Sequence, residues 1–500
     1  MRHPPGGRGA AAALVVAAVL ALAGCGAGTG AGAGAGGGLR LAAARQPIAA
    51  AGPWLLTSDI HFTPFAGASS ALVARLEASP VGEWATILAS EGDTPSGYGS
   101  DTNDALLESS LAQMRRATPA PAVVLVGGDL LAHEFQQSYD RLAPDPTQAS
   151  YEAFVDKTVA FLAERFDSAF PLSQFVLTLG NNDSYCGDYE ATPRSPFLQA
   201  TETAWQPLVD RDGRAPDFAS SFPQLGSYVA SLPLPGLEIV SLDDVFWSAH
   251  YENACGSPGE DPSAEQDEWL GTTMKSLPAG EHAWLLTHVP PGIDVYGTLH
   301  GSGAPKPLLD ADGQAAMLAA LATRRVPALV FGHLHTSTYR LARNTPMLGV
   351  PSISPLFANN PAFLTATVGA GGTIADYTAY VLDLHMRTPS WQREYDFRDT
   401  YGLAAFDAHS LKRLQGLLRD DARLRSAYER YYVSGGEHAI TDADYPAYAC
   451  GAIAMEVPSF AVCWRPVHRP ARRGASAAIG ERGPAGIDHV QAQTSEGGSG

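Results

Sequence analysis

The chain has 500 residues, 45% of them hydrophobic and 17% charged, a globular composition long enough for one large domain or two smaller ones. Its 33 Lys and Arg against 52 Asp and Glu give a net charge of −19, which argues against a nucleic-acid binder and disfavours electrostatic adsorption to anionic lipid. Five cysteines are too few for a disulfide scaffold, and no Cys-x-x-Cys pair points to a zinc ribbon.

In chain order, Arg2 and Arg8 flank the start of an apolar run over residues 9–24. That run is short for a bilayer crossing, which takes roughly 20 residues, and reads as the core of a signal peptide. It ends in Leu22-Ala23-Gly24-Cys25, which resembles the lipobox of bacterial lipoproteins. The expected organisation is a signal peptide over 1–24, an acyl anchor on Cys25 and a Gly/Ala-rich tether over 25–50. That places the protein outside the cytoplasm, lipid-anchored to a bacterial membrane; a plain signal peptide with a chance cysteine is the alternative. Export puts Cys186, Cys255, Cys450 and Cys463 in an oxidising compartment. Three pairings are open; the favoured one joins Cys450 to Cys463, which are close in sequence, and Cys186 to Cys255, which both lie in loops.

Short apolar runs then alternate with amphipathic stretches. Residues 54–57, 123–126, 175–179, 237–242, 283–287, 328–331 and 377–384 read as strands. Residues 104–116, 151–166, 264–276 and 313–324 read as helices, and 408–432 as a charged helical region. Alternation of this kind predicts an α/β layered fold. The expected core domain covers 51–400, a helical region 401–465, and a disordered tail rich in Gly, Ala, Arg and Pro 466–500.

Residues suited to holding metal stand just after five of these strands. They are Asp59 and His61, Asp129 in Gly-Gly-Asp, Asn181 in Gly-Asn-Asn-Asp, His288, and His333 with His335 in Gly-His-Leu-His. Ligands bind outside the carboxyl ends of strands in open α/β sheets, so the five exits are expected to converge. Carboxylate and imidazole suit zinc, manganese and iron. Asp129 is the natural bridge between two such ions, divalent or trivalent, because a carboxylate has two oxygens. Two divalent cations less Asp59, Asp129 and a hydroxide leave about one positive charge for an anionic phosphoryl group.

In this order the motifs resemble the signature of the calcineurin-like metallophosphoesterases, over about residues 53–400. The resemblance implies a four-layer α/β/β/α sandwich. It also implies that Asp59, His61, Asp129 and His335 hold one metal and Asp129, Asn181, His288 and His333 the other. A narrower likeness is to acid sphingomyelinase-like phosphodiesterases and endopolyphosphatases. It rests on the Asp129-to-His133 spacing, His288-Val289-Pro290-Pro291-Gly292, Tyr98-Gly99-Ser100-Asp101, Asn360-Pro361 and residues 391–395. The implied reaction is hydrolysis of a phosphodiester by a metal-activated hydroxide, on a small phosphoester or a phospholipid headgroup. Most family members carry His after the metal-binding Asn; here it is Asn182, which cannot deliver a proton. That leaves His133 as the candidate general acid, with a structural His near the metal site as the alternative, and Asn182 as a phosphate contact or a structural amide.

His250, His282 and His300 match no motif position and read as solvated or core residues, and Asp183 and Asp188 as supporting loop residues; Asp243-Asp244 could shape the pocket, but a turn is favoured because their charge would repel phosphate. Two other functions stay open: a polyphosphatase or nucleotide phosphohydrolase, and a non-catalytic metal-binding surface lipoprotein. No nucleic-acid or protein partner is expected.

Overall fold

The computed structural model describes residues 52–465 apart from 254, 256–260, 324, 438 and 439. The expected signal peptide, Cys25, the tether and the 466–500 tail lie outside the described residues. The strands are β1 Pro53–Thr57, β2 Val123–Val126, β3 Gln174–Leu177, β4 Tyr228–Ser231, β5 Leu237–Ser241, β6 His282–Thr287 and β7 Ile293–Asp294. They continue with β8 Lys306–Pro307, β9 Leu329–Phe331, β10 Thr338–Ala342, β11 Thr345–Gly349, β12 Ala362–Val368, β13 Ile374–Asp383 and β14 Ser390–Asp396. One sheet runs β14-β13-β12-β1-β2-β3, the other β10-β11-β9-β6-β5-β4, and β7 pairs only with β8. The strands that lead to the Asp, Asn and His motifs pair in parallel: β1 with β2, β2 with β3, and β6 with β9.

Period-two alternation along each strand explains the layers. In β6, Trp284 and Leu286 enter the main core, and Leu285 between them enters a second cluster. Val330 in β9 and Leu348 in β11 join the main core, while Leu329, Phe331 and Met347 face the other way. The main core also holds Trp54, Leu56 and Val124 of the first sheet, so the two sheets face each other. Trp54 and Trp284 touch across that interface with ring centroids 4.8 Å apart. The second cluster is closed by Leu270 and Met274 of helix Pro262–Ser276 and by Met317 and Leu321 of helix Ala311–Ala322. Helices Asp104–Ala117 and Gln148–Ala169 add Leu107, Leu111, Phe154 and Phe161 to the main core. This is the α/β/β/α sandwich.

Helix starts follow from capping residues. Asn103 accepts from Leu106 N–H, Thr147 and Ser150 form a capping box, and Asp310 accepts from Gly313 N–H. The expected helical region 408–432 is two helices, Ala408–Asp420 and Ala422–Tyr432, because Asp421 leaves helical geometry and caps the second. The third expected strand ends two residues early, where Thr178 turns its hydroxyl to Leu242 O at 2.6 Å. Disulfides join Cys186 to Cys255 and Cys450 to Cys463. No helix among the described residues is long and apolar enough to cross a membrane.

Candidate metal centre

The strand exits converge through backbone hydrogen bonds. Gly127 N–H donates to Thr57 O at 2.9 Å, Asp59 N–H to Gly128 O at 3.0 Å, and His61 N–H to Asp129 O at 2.9 Å. The loop after β9 is tied in by His333 N–H, which donates to Asp59 Oδ1 at 2.9 Å. Asp59, His61, Asp129, His333 and His335 all have φ between 44° and 68°. That left-handed region is uncommon for side-chain-bearing residues, and it aims successive polar groups into one space. The motif glycines make the room. A Cβ on Gly128, itself at φ 89°, would stand 2.7 Å from His288 Nδ1, and one on Gly180 would overlap Asp129 Oδ1.

Seven polar side chains gather there, each no more than 6% exposed. His61 Nε2 lies 3.1 Å from His335 Nε2 and 3.4 Å from Asp129 Oδ2, and His335 Nε2 lies 3.5 Å from Asp59 Oδ1. In a second group, Asn181 Oδ1 lies 2.9 Å from both His288 Nε2 and His333 Nδ1, and His288 Nε2 lies 3.2 Å from Asp129 Oδ2. Donor atoms about 2.0–2.1 Å from one tetrahedral cation stand about 3.3–3.4 Å apart, so the spacing fits metal ligation. Asp59 Oδ2 is buried without a hydrogen-bond partner, as an oxygen reserved for a cation would be. Asp59, His61, Asp129 and His335 form a possible metal-binding group, their donor atoms all within 4.8 Å of one another.

Asp129 reaches both groups through one oxygen, Oδ2; the sequence reading gave it one oxygen for each. Its Oδ1 accepts Asn182 N–H at 2.8 Å.

The ring nitrogens facing away from the centre are held by the chain. His61 Nδ1 pairs with Leu131 O at 3.1 Å and His288 Nδ1 with Gly127 O at 2.7 Å, which leaves both Nε2 atoms free to ligate. Burial lowers His61 to about 4 and His333 to about 3, so these rings are neutral, the state a metal needs. Burial raises Asp59 to about 7. Burial also penalises the Asp129 carboxylate, but the neighbouring His288 and His61 outweigh it and hold the group well below its usual range.

His133 stands beside this cluster. Its ring stacks on His61 with centroids 4.0 Å apart, and its Nδ1 contacts Asp101 Oδ1 at 3.1 Å. Burial pushes its pKa down, yet the Asp101 hydrogen bond and charge reverse the sign and raise it. Asn182 turns its amide inward: Nδ2 donates to Asp129 Oδ2 at 3.0 Å.

Asp243 and Asp244 do stand at a turn, at the start of the short helical turn Asp244–Trp247, but their role goes beyond capping. Both are buried, and Asp244 Oδ1 accepts the N–H groups of His288 and Val289, each at 3.0 Å. The turn was legible, but the contact with the His288 loop was not, because 44 residues separate Asp244 from His288. Asp183 accepts from Leu130, Leu131 and Gly180 N–H, and Asp188 from Asn181 Nδ2, so both act as supports for the motif loops. Asp101 was visible as part of a motif but without a role. His250 is exposed at the rim, its ring 5.3 Å from Tyr189, and the Tyr189 hydroxyl lies 3.4 Å from His333 Nε2. His300 is exposed and stacks on Tyr296.

Comparison with known proteins agrees with this geometry. The chain is 28% identical over 327 residues to sphingomyelinase phosphodiesterase D of Dictyostelium discoideum, covering 61% of this chain and 67% of that protein. It is 24% identical over 396 residues to human acid sphingomyelinase-like phosphodiesterase 3b, covering 73% and 81%. Human sphingomyelin phosphodiesterase is 23% identical, with 66% of this chain matching 51% of its length. The calcineurin-like phosphoesterase family model matches residues 53–337, more than half of the sequence, and the chain belongs to that family.

Proposed function

We propose that the protein is a metal-dependent phosphodiesterase with a two-metal site. The observation that carries this is Asp129 Oδ2, which lies 3.4 Å from His61 Nε2 in one donor group and 3.2 Å from His288 Nε2 in the other. Asp59, His61, Asp129 and His335 would hold one ion, and Asp129, Asn181, His288 and His333 the second. The donor set is nitrogen and oxygen without thiolate, which suits zinc, manganese or iron. Bound ions would lower the pKa of a water and draw charge from phosphoryl oxygens.

The chain's own residues supply orientation and a proton. Asp101 engages His133 Nδ1, so the proton available for transfer sits on Nε2. His133 is raised rather than lowered in pKa, which keeps that proton in place until an alkoxide leaves. As a hydroxide bonds to phosphorus, the P–O bond to the leaving group breaks and the Nε2 proton passes to the departing oxygen. Asn182 cannot replace His133 in this step, and its bonds to Asp129 make it an orienting group for the bridge.

A phospholipid headgroup or another small phosphodiester is the substrate class, supported by the names of the relatives. Export with acylation at Cys25 is the expected setting, and the two disulfides fit an oxidising compartment. The test is hydrolysis of bis-p-nitrophenyl phosphate with added zinc or manganese, beside p-nitrophenyl phosphate and polyphosphate. Metal-dependent diester turnover that Asp129→Asn abolishes is expected. Turnover confined to polyphosphate would transfer the assignment to a polyphosphatase.

A further inference from the structure

We propose that Phe357 is a specificity-determining residue, an apolar seat for the leaving group beside His133. Its ring stands steeply across two imidazoles, with centroids 5.5 Å from His133 and 4.8 Å from His335. Phe357 is only half-buried, as is its neighbour Leu356. It joins none of the hydrophobic clusters among the described residues, so core packing does not account for it. The His133 side chain is 26% exposed, whereas His335 is buried. The candidate proton donor therefore opens to solvent next to an aromatic wall. A group that accepts its proton there lies against that wall, an apolar surface with one placed polar group.

The chain fixes this wall in advance. Phe357 lies in the loop between β11 and β12. Ser354 N–H donates to Asp59 O at 3.2 Å, and the Ser354 hydroxyl donates to Asp101 Oδ1 at 2.9 Å. That oxygen is the one in contact with His133 Nδ1. Gly99 N–H donates to Pro355 O at 3.2 Å. Ala358 stands in the left-handed region at φ 63°, and its N–H closes a turn on Pro355 O at 3.1 Å. From the other side Glu437 N–H donates to Ala358 O at 2.8 Å, and a Cβ on Gly436 would stand 2.3 Å from that oxygen. One loop thus supports the Asp101–His133 pair through Ser354 and presents Phe357 three residues later. A preset surface lowers the ordering cost of whatever binds it.

Beside the second donor group the surroundings are polar. The Tyr189 hydroxyl lies 3.4 Å from His333 Nε2, and the His250 ring stands 5.3 Å from Tyr189 at the rim. The asymmetry gives the reaction a direction. The hydrocarbon-bearing half of the diester sits at Phe357 and the polar half at the other end. Hydroxide bonds to phosphorus, the P–O bond to the hydrocarbon-bearing alcohol breaks, and that alcohol leaves with the His133 proton. The polar half remains as a phosphomonoester.

This inference rests on the phosphodiesterase reading, and two measurements separate them. In the first, the ethanolamine phosphodiesters of octanol and of ethanol are hydrolysed with added zinc or manganese and the products identified. Octanol and phosphoethanolamine are expected, with the octyl ester preferred in kcat/KM. Phe357→Ala should cut the octyl-over-ethyl preference about tenfold, and Phe357→Tyr should retain it. In the second, octylphosphonate and ethylphosphonate are titrated calorimetrically into the metal-loaded protein. The octyl preference in Kd should again fall about tenfold in Phe357→Ala. Such a preference without diester turnover would support the subsite and remove the phosphodiesterase reading. The same octyl-over-ethyl preference in the parent and in Phe357→Ala would overturn the proposal, as would release of ethanolamine and octyl phosphate. Loss of bound metal in Phe357→Ala, with both esters slowed alike, would also overturn it, because Phe357 would then be a cover for His335.

Discussion

The candidate metal centre is built from residues held in uncommon backbone conformations. Asp59, His61, Asp129, His333 and His335 all have positive φ, and the glycines beside them admit the crowding. The candidate ligand motifs were legible because each polar residue follows a strand, and all but His288 have a glycine neighbour or an Asp-x-His or His-x-His spacing. Asp101 was legible as part of the Tyr98–Asp101 motif but its role was not, since 28 residues separate it from Asp129 and only the fold brings it to His133. The pair makes a specific prediction about leaving groups. An alkoxide needs a proton as it departs, whereas p-nitrophenolate does not. His133→Ala should therefore lower kcat by roughly 100-fold or more on an alkyl phosphodiester and by less than about tenfold on bis-p-nitrophenyl phosphate. Asp101→Asn should show the same split more weakly. An equal loss on both substrates, measured by steady-state kinetics, would mean that His133 acts on binding or on metal retention.

At the scale of elements, the site is a product of parallel strand pairing. β1, β2 and β3 deliver Asp59, Asp129 and Asn181 to one edge, and β6 and β9 deliver His288 and the His333–His335 pair from the facing sheet. Those strands were legible because each is a buried apolar run. β12 and β14 went unread because they carry polar residues among apolar ones, β12 between β1 and β13 and β14 at the sheet edge. The helices Pro196–Val209 and Phe218–Leu225 contain Pro207 and Pro223, which mask a helical pattern. The loop after β6 shows how a residue outside the donor groups can fix a candidate ligand, His288. Asp244 takes the two backbone N–H groups at its start, and Asp244→Ala would leave both buried and unpaired. That costs about 1–3 kcal/mol per group in stability. Metal affinity should fall by roughly 10–100-fold, read by competition with a chromophoric chelator. Unchanged affinity would show that the His288 loop is fixed by its other contacts.

For the whole molecule, composition excluded more than it assigned. A net charge of −19 set aside nucleic acid. The layered fold followed from the alternation of apolar runs and amphipathic stretches. The facing of the two sheets did not, because Trp54 and Trp284 meet only once both sheets are built. The central claim is that both donor groups fill and act together through Asp129. It is tested most directly by adding zinc or manganese back to the chelated protein while following diester hydrolysis. The rate should rise to its limit at two equivalents of metal per chain and stay near zero in Asp129→Asn at any metal concentration. A limit reached at one equivalent, or full turnover in the presence of a chelator, would contradict it.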